Sequence, residues 1–291
     1  MTHPSKSELV LGICIVQILG SISYPIARYG LTNIDPFVFA FFRFLLAGTI
    51  LFGLTRYKKM TPPIERKDMW VILALGVLII GLNQLFFLVG QSMTAASHGA
   101  IMYATQPAWI YLFSLVLGKE LFNWRRIGGI VLAVAGAIVI VASAAKSGDA
   151  ATLTGDVILF ISVCAWAVYV VLGRPLVQKY GALRVTAYAL SFGSLLYAPF
   201  GFWLAMGTDY SQVPVGVWGS IAFMAIGISI VVYVLVYWLI KYIDASRVAV
   251  IHNVQPVIAT AVAWLFLGET VGLVFVVGSV IVLAGVILSE V

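Results

Sequence analysis

The chain has 291 residues, of which 62% are hydrophobic and only 10% charged, with a net charge of +6. Soluble domains carry roughly a quarter charged residues, so a soluble globule of this length is excluded. The two cysteines, Cys14 and Cys164, lie in apolar stretches and read as small buried residues; they make neither a disulfide framework nor a metal site.

Apolar runs of about 20 residues, the length that a bilayer-spanning helix needs, recur along the chain. They predict ten spans, at 9–29, 36–55, 70–91, 97–117, 124–143, 155–173, 185–205, 216–240, 246–267 and 271–289. The runs are continuous rather than alternating, which excludes a transmembrane barrel. The fold class is therefore all-α integral membrane. The first span has no small-residue cleavage site behind it and reads as a retained helix rather than a signal peptide.

The first span carries Ser21, Ser23, Tyr24 and Pro25. A proline frees a backbone carbonyl in a membrane helix, so Pro25 predicts either a packing kink or a hinge beside a cavity, with Tyr24 on its wall. The second span opens after Asp35-Pro36 and contains Arg43. An intramembrane arginine is a functional candidate by default. Arg43 lies roughly two helical turns from the end of its span, close enough to snorkel or to pair with Asp35, and a structural role is expected. The next segment, charged and carrying Pro62-Pro63, is a connector.

The third span offers Asn83, Gln84 and Gln91, with Phe87 on the face of Gln84. Polar side chains in such a helix turn inward, toward other helices or a solute. In the fourth span Tyr103 and Gln106 share a face just before Pro107, and Trp109 is a further wall candidate. Proline removes a helical hydrogen bond and clashes with the preceding turn, so this helix should be distorted near mid-depth. His98 lies nearer its outer end. The span closes on Gly118-Lys119-Glu120, where the glutamate reads as a cap or a gate-adjacent group. The fifth span is nearly devoid of polar residues and carries Gly129, Ala133 and Ala137 at spacing four. Small residues on one face let helices pack closely.

The sixth span brings Trp166 and Tyr169. In the eighth, Ser229, Tyr233 and Tyr237 form one polar-edged stripe. The ninth carries His252 and Gln255 immediately before Pro256, and closes on Gly268-Glu269. A histidine at mid-depth can hydrogen-bond a solute or carry a proton. The tenth carries Gly278 and Gly285; like the fifth it should be scaffold, contacting that span or a second protomer.

The stretch from Ala96 to Gly136 is echoed from Ala245 to Gly285 at an offset of 149 residues without a gap. Gln106-Pro107 falls on Gln255-Pro256, Tyr103 on His252, Gln84 on Tyr233, Glu120 on Glu269, Gly129 on Gly278 and Gly136 on Gly285. The chain is an internal duplication, divided into repeats at 9–143 and 155–289. Five spans per repeat is an odd number, so the second repeat must enter the membrane in the opposite orientation. Inverted repeats of this kind build secondary transporters, with the solute site at the repeat interface.

Charge placement gives the topology. With an inside N-terminus the inside loops hold Arg56, Lys58, Lys59, Arg66, Lys67, Lys119, Arg125, Arg126, Arg174, Lys179, Arg184, Lys241 and Arg247, whereas the outside loops hold only Arg28 and Lys146. By the positive-inside rule both termini are expected in the cytoplasm. The basic balance records topology, not a nucleic-acid partner.

The stretch GQSMTAASHGAIMYATQPAWIYLFSLVLGKE resembles the EamA-type carriers of the drug/metabolite transporter superfamily. Both halves carry the pattern, in Pro107, Glu120, Gly129 and Gly136 and again in Pro256, Glu269, Gly278 and Gly285; Arg43-Phe44-Leu45-Leu46-Ala47 is similar to the family's second helix. The resemblance spans essentially 9–289. It implies ten helices in two inverted five-helix repeats around a central cavity, and members that export amino acids and other small metabolites. The small four-helix multidrug relatives use a glutamate in the first helix for proton coupling; here only Glu8 stands there, at its edge.

The expectation is a multi-pass carrier of the cytoplasmic membrane that moves small polar metabolites, foremost amino acids, by alternating access, with export favoured by family precedent. The cavity should be lined by Tyr24, Asn83, Gln84, Tyr103, Gln106, Trp166, Tyr169, Tyr233, His252 and Gln255, with helix kinks at Pro25, Pro107 and Pro256. Phenol, amide and imidazole groups would orient a polar solute and aromatic faces would hold its apolar part. No cofactor and no metal are expected; the partners are a small-molecule substrate, membrane lipid and, as an option, a second copy in a homodimer. The alternative is an exporter of drugs or organic cations. A passive channel would need a continuous polar face along several helices. A membrane enzyme would need clustered catalytic groups, and no nucleophile motif, intramembrane Asp pair or His-rich set occurs.

Overall fold

The computed structural model describes residues 4–57, 63–146, 150–243, 255–269 and 272–290. Regular structure among them is entirely helical: α1 (Lys6–Leu31), α2 (Pro36–Tyr57), α3 (Arg66–Met93), α4 (Ala96–Ala104), α5 (Gln106–Val116), α6 (Trp124–Lys146), α7 (Ala150–Tyr180), α8 (Ala182–Met206), α9 (Val215–Tyr242), α10 (Gln255–Leu267) and α11 (Leu273–Glu290). Among the described residues six stretches are long and apolar enough to cross a membrane: α1, α2, α3, α7 from Thr152, α8 and α9. They coincide with the first three and the sixth to eighth predicted spans.

Local chemistry sets the helix ends. Ser5 and Glu8 form a capping box at the start of α1. Asp35 Oδ1 accepts the amides of Phe37 and Val38 at 2.8 and 3.2 Å, opening α2 on Pro36. Gly118 and Gly268, after α5 and α10, adopt φ of 65° and 66°, the left-handed conformation that ends helices.

The fourth predicted span is a pair of helices rather than one bent helix. It breaks at Thr105, and α5 restarts on Gln106-Pro107. Proline has no N–H to continue α4 and tolerates the first turn of a new helix. Pro25, by contrast, sits inside an unbroken α1. Pro256 stands in the first turn of α10, and the residues just before that helix lie outside the described ones.

Helices α3 and α9 each contain a π-helical segment, Leu78–Gln84 and Met224–Val232. At the 149-residue offset, the last residue of the first and the residue just after the second, Gln84 and Tyr233, are counterparts.

Packing follows the small residues. A Cβ on Gly136 of α6 would stand 2.7 Å from the Gly278 carbonyl of α11, and one on Gly285 would overlap the Ala133 amide. The two scaffold helices thus pack against each other. Helix α2 pairs with α8, where Ser194 Oγ donates to the Phe44 carbonyl at 3.0 Å and Tyr197 Oη to that of Phe37 at 2.8 Å. Helix α3 packs on α7 and α8, and α1 on α9 and α10. Trp70, Trp203, Trp264 and Phe202 stand outward and more than half exposed, as lipid-facing side chains of a bundle do. Cys14 is exposed rather than buried.

Candidate functional site

A cavity of about 70 Å³, room for a few water molecules, lies among α1, α3, α4, α5, α7, α9 and α10. Helix α1 presents Gly20, Ser23 and Tyr24, three residues of one helical face. The π segment of α3 ends on Gln84, with Phe87 one turn on. That of α9 ends beside Tyr233, flanked by Met224, Ile228, Val232 and Val236. A π turn adds a residue to the helix and rotates every later turn, and such turns concentrate at functional sites. Tyr103 and Gln106 enter from either side of the α4–α5 break, Trp166 from α7 and Gln255 from the first turn of α10.

The aromatic members form two groups. Tyr24, Phe87 and Tyr103 meet edge to face, with centroids 5.5 to 6.0 Å apart. Trp166 lies 5.0 Å from Tyr233 and 5.7 Å from Tyr169. Polar order comes from the layer behind the wall. Asn83 Nδ2 donates to Tyr103 Oη at 2.9 Å and to the Ser162 carbonyl at 2.8 Å; Tyr103 Oη donates to Ser162 Oγ at 2.5 Å, and that hydroxyl donates to the Asn83 carbonyl at 2.8 Å. Gln84 Nε2 donates to Asn83 Oδ1. On the far side Gln255 Nε2 donates to the Val16 carbonyl at 3.4 Å. A Cβ on Gly20 would overlap that nitrogen, so only glycine leaves the amide its place.

Of the expected lining residues, Tyr24, Gln84, Tyr103, Gln106, Trp166, Tyr233 and Gln255 surround the cavity. Two do not. Asn83 lies one layer back, because it is the hub that fixes Tyr103 and Gln84. Tyr169 also lies behind the wall: its ring stacks on Tyr237 at 4.9 Å and its carbonyl accepts the Tyr237 hydroxyl at 3.1 Å. His252 lies outside the described residues. Trp109 faces elsewhere; its Nε1 donates to Thr105 Oγ1 at 3.2 Å and its ring packs on Phe160. The residues missed from sequence were Ser162, a lone serine in an apolar span, and the α9 aliphatics, which look like any lipid-facing side chains. Gly20 and Ser23 could have been found, since they share a face with Tyr24.

Arg43 departs most from expectation. It neither snorkels nor pairs with Asp35, whose carboxylate is spent on the start of α2. It is fully buried, and its Nε donates to Ser229 Oγ at 3.0 Å. Its two terminal nitrogens have no hydrogen-bond partner among the described residues, and they lie within electrostatic reach of the Tyr233 and Tyr103 phenols. The Tyr233 hydroxyl and Gln106 Oε1 are likewise without hydrogen-bond partners among the described residues.

The carboxylates whose side chains are described are engaged elsewhere. Asp156 Oδ2 lies 3.0 Å from His98 Nδ1, and its Oδ1 accepts from Thr94. Glu269 accepts the Ala96 amide at 2.7 Å and the Ser97 hydroxyl at 3.0 Å, capping α4. Glu120 pairs with Arg126, Glu65 and Asp68 with Lys179, Glu8 with Ser5 and Asp209 with Ser211.

Known proteins place the chain. The description of the EamA-like transporter family matches it twice, over residues 8–142 and 153–290. An uncharacterized transporter of Archaeoglobus fulgidus is 28% identical over 98% of this chain and 97% of its own. The uncharacterized transporter YyaM of Bacillus subtilis is 27% identical over 100% and 95%. A solved crystal structure shares the fold, with a TM-score of 0.67, 15% identity and 98% of both chains covered.

Proposed function

The chain belongs to the EamA-like transporter family, a multi-pass membrane family of the drug/metabolite transporter superfamily, and on that premise we propose that it carries small polar metabolites, foremost amino acids and related compounds, out of the cell across the cytoplasmic membrane by alternating access. It is a transporter rather than an enzyme. The observation that carries the substrate reading is the cavity, in which amide and phenol groups alternate with aromatic faces. Such a lining suits a solute with a polar head and an apolar body. Tyr24, Gln84, Tyr103, Gln106, Trp166, Tyr233 and Gln255 would touch the solute. Asn83 and Tyr169 would hold the wall, and His252 remains a candidate proton carrier.

The proposed layout is ten spans in two inverted five-helix repeats, 9–143 and 155–289, with both termini in the cytoplasm. The helix pairings support it. At the 149-residue offset, α2 and α8 are counterparts that pack together, as are α6 and α11, and the α3–α7 contact has its counterpart in α9–α1. Such a two-fold arrangement places the solute site where the repeats meet.

The test is uptake of a labelled amino acid panel into proteoliposomes, with and without an imposed pH gradient. Saturable uptake that responds to the gradient is expected. Saturable uptake indifferent to the gradient would mean a facilitator or another coupling ion. No uptake of any amino acid would overturn the substrate class.

A further inference from the structure

We propose that the cavity selects solutes bearing a carboxylate, whose negative charge is received at the Tyr233 hydroxyl and neutralises the buried Arg43 guanidinium behind it. This rests on the reading of the cavity as a solute site. A guanidinium is not deprotonated in proteins, and a buried charge without a counter-charge is strongly unfavourable. Arg43 is wholly buried, yet among the described residues its only hydrogen bond is one from Nε to a neutral serine. Ser229 cannot offer more, since its own hydroxyl is given to the Met224 carbonyl at 3.2 Å. No carboxylate among the described side chains is free to approach. The cavity wall itself carries no acidic or basic side chain among the described residues, so Arg43 sets its sign.

The unpaired polar atoms then have a consistent use. Tyr233 lines the cavity, and its buried hydroxyl lies within electrostatic reach of Arg43 and has no acceptor among the described residues, so its proton is available to a solute oxygen. Gln106 also lines the cavity, and its buried Oε1, without a donor among the described residues, is the acceptor available to an amino group of the same solute. A carboxylate placed here gains a charge-assisted contact in a low-dielectric site. A permeant cation meets the uncompensated positive charge instead, which disfavours the organic-cation alternative.

The test is a thermal-shift titration of the purified full chain in detergent with matched triads, in which one carbon skeleton is presented as amino acid, amino acid amide and amine. Phenylalanine, phenylalaninamide and phenethylamine form one triad; leucine and serine supply two more. For the parent protein, at least one acid should raise the melting temperature with an affinity at least tenfold above its amide and amine. Arg43→Gln should weaken that acid about 30-fold or more and erase the preference, whereas Arg43→Lys should keep it at reduced affinity. Tyr233→Phe, which keeps the ring, should weaken the acid and leave the amide and amine unchanged; it decides the matter if Arg43→Gln does not fold. Amides or amines that bind as well as the acids overturn the carboxylate proposal and leave the transport reading intact. A full acid preference in Tyr233→Phe overturns the carboxylate proposal in the same way. Silence from every member of every triad overturns both.

Discussion

Single side chains here divide into those that touch the cavity and those that hold them. Tyr103 does the first and Asn83 the second, and substitution separates the two. Tyr103→Phe removes one hydroxyl, but Asn83 Nδ2 keeps its bond to the Ser162 carbonyl, so no donor is stranded. The expected loss is about 1 kcal/mol of stability, with weakened uptake. Asn83→Leu deletes the hub, which strands the Gln84 amide and takes away the donor that serves the Tyr103 hydroxyl. Its thermal midpoint in detergent should fall well below that of Tyr103→Phe; equal midpoints would remove Asn83 from the supporting role. Gly20→Ala is the steric counterpart. Its methyl group would overlap the Gln255 amide, so uptake should fall while folding is kept, because the atoms that must yield belong to a flexible side chain.

Helices obey a different logic, set by how close their backbones come. The α6–α11 crossing is built on glycine, and Gly136→Leu would drive a side chain into the Gly278 carbonyl and the Val282 amide. Backbone atoms cannot move aside as a side chain can, and overpacking costs roughly 1–3 kcal/mol or more. The expected result is a lower melting temperature or aggregation on size-exclusion chromatography, whereas Gly128→Leu, at a position with nothing within 4 Å, should be neutral. At this scale the small-residue spacing was legible in sequence as a close-packing face. Whether the partner was the other scaffold helix or a second protomer was not, since a stripe of small residues carries no address.

For the molecule as a whole, the charged ends are the informative features. Glu65 and Asp68 at the start of α3 both meet Lys179 at the end of α7, tying two long helices at one membrane face. Lys179 beside it, and then Lys67, hold the Glu65 carboxyl below the usual glutamate range. A lowered acid contributes stability above its unfolded pKa and loses it as pH falls through the folded one. The difference in melting temperature between the parent and Glu65→Gln should therefore be constant well above the unfolded glutamate pKa of about 4.3, shrink as pH falls below it, and vanish only below the lowered folded value. It should also be small and salt-sensitive, since both partners are about half exposed. The proposed topology has its own test: reporters fused at the two ends should both report the cytoplasm, and opposite sides would remove the ten-span layout.

What the residues alone determined was the class of protein, the duplication and most of the cavity wall. Those follow from one-dimensional quantities: the length of apolar runs, a constant offset between two Gln-Pro pairs, and polar residues too costly to face lipid. What the tertiary structure decided was the depth of each polar group and its partner. Asn83 and Gln84 are adjacent in sequence, yet one is a hub and the other a wall, because a π turn sets the rotation of α3 at that point. Arg43 was legible as an intramembrane arginine, but nothing in its neighbours told that Asp35 would be consumed by its own helix end. That Arg43 would be buried without a carboxylate partner among the described residues, bonded instead to Ser229, was decided by the packing of α2 against α9, 186 residues away in the chain. Burial and partnership are properties of contacts between distant segments, and no local pattern encodes which distant segment arrives.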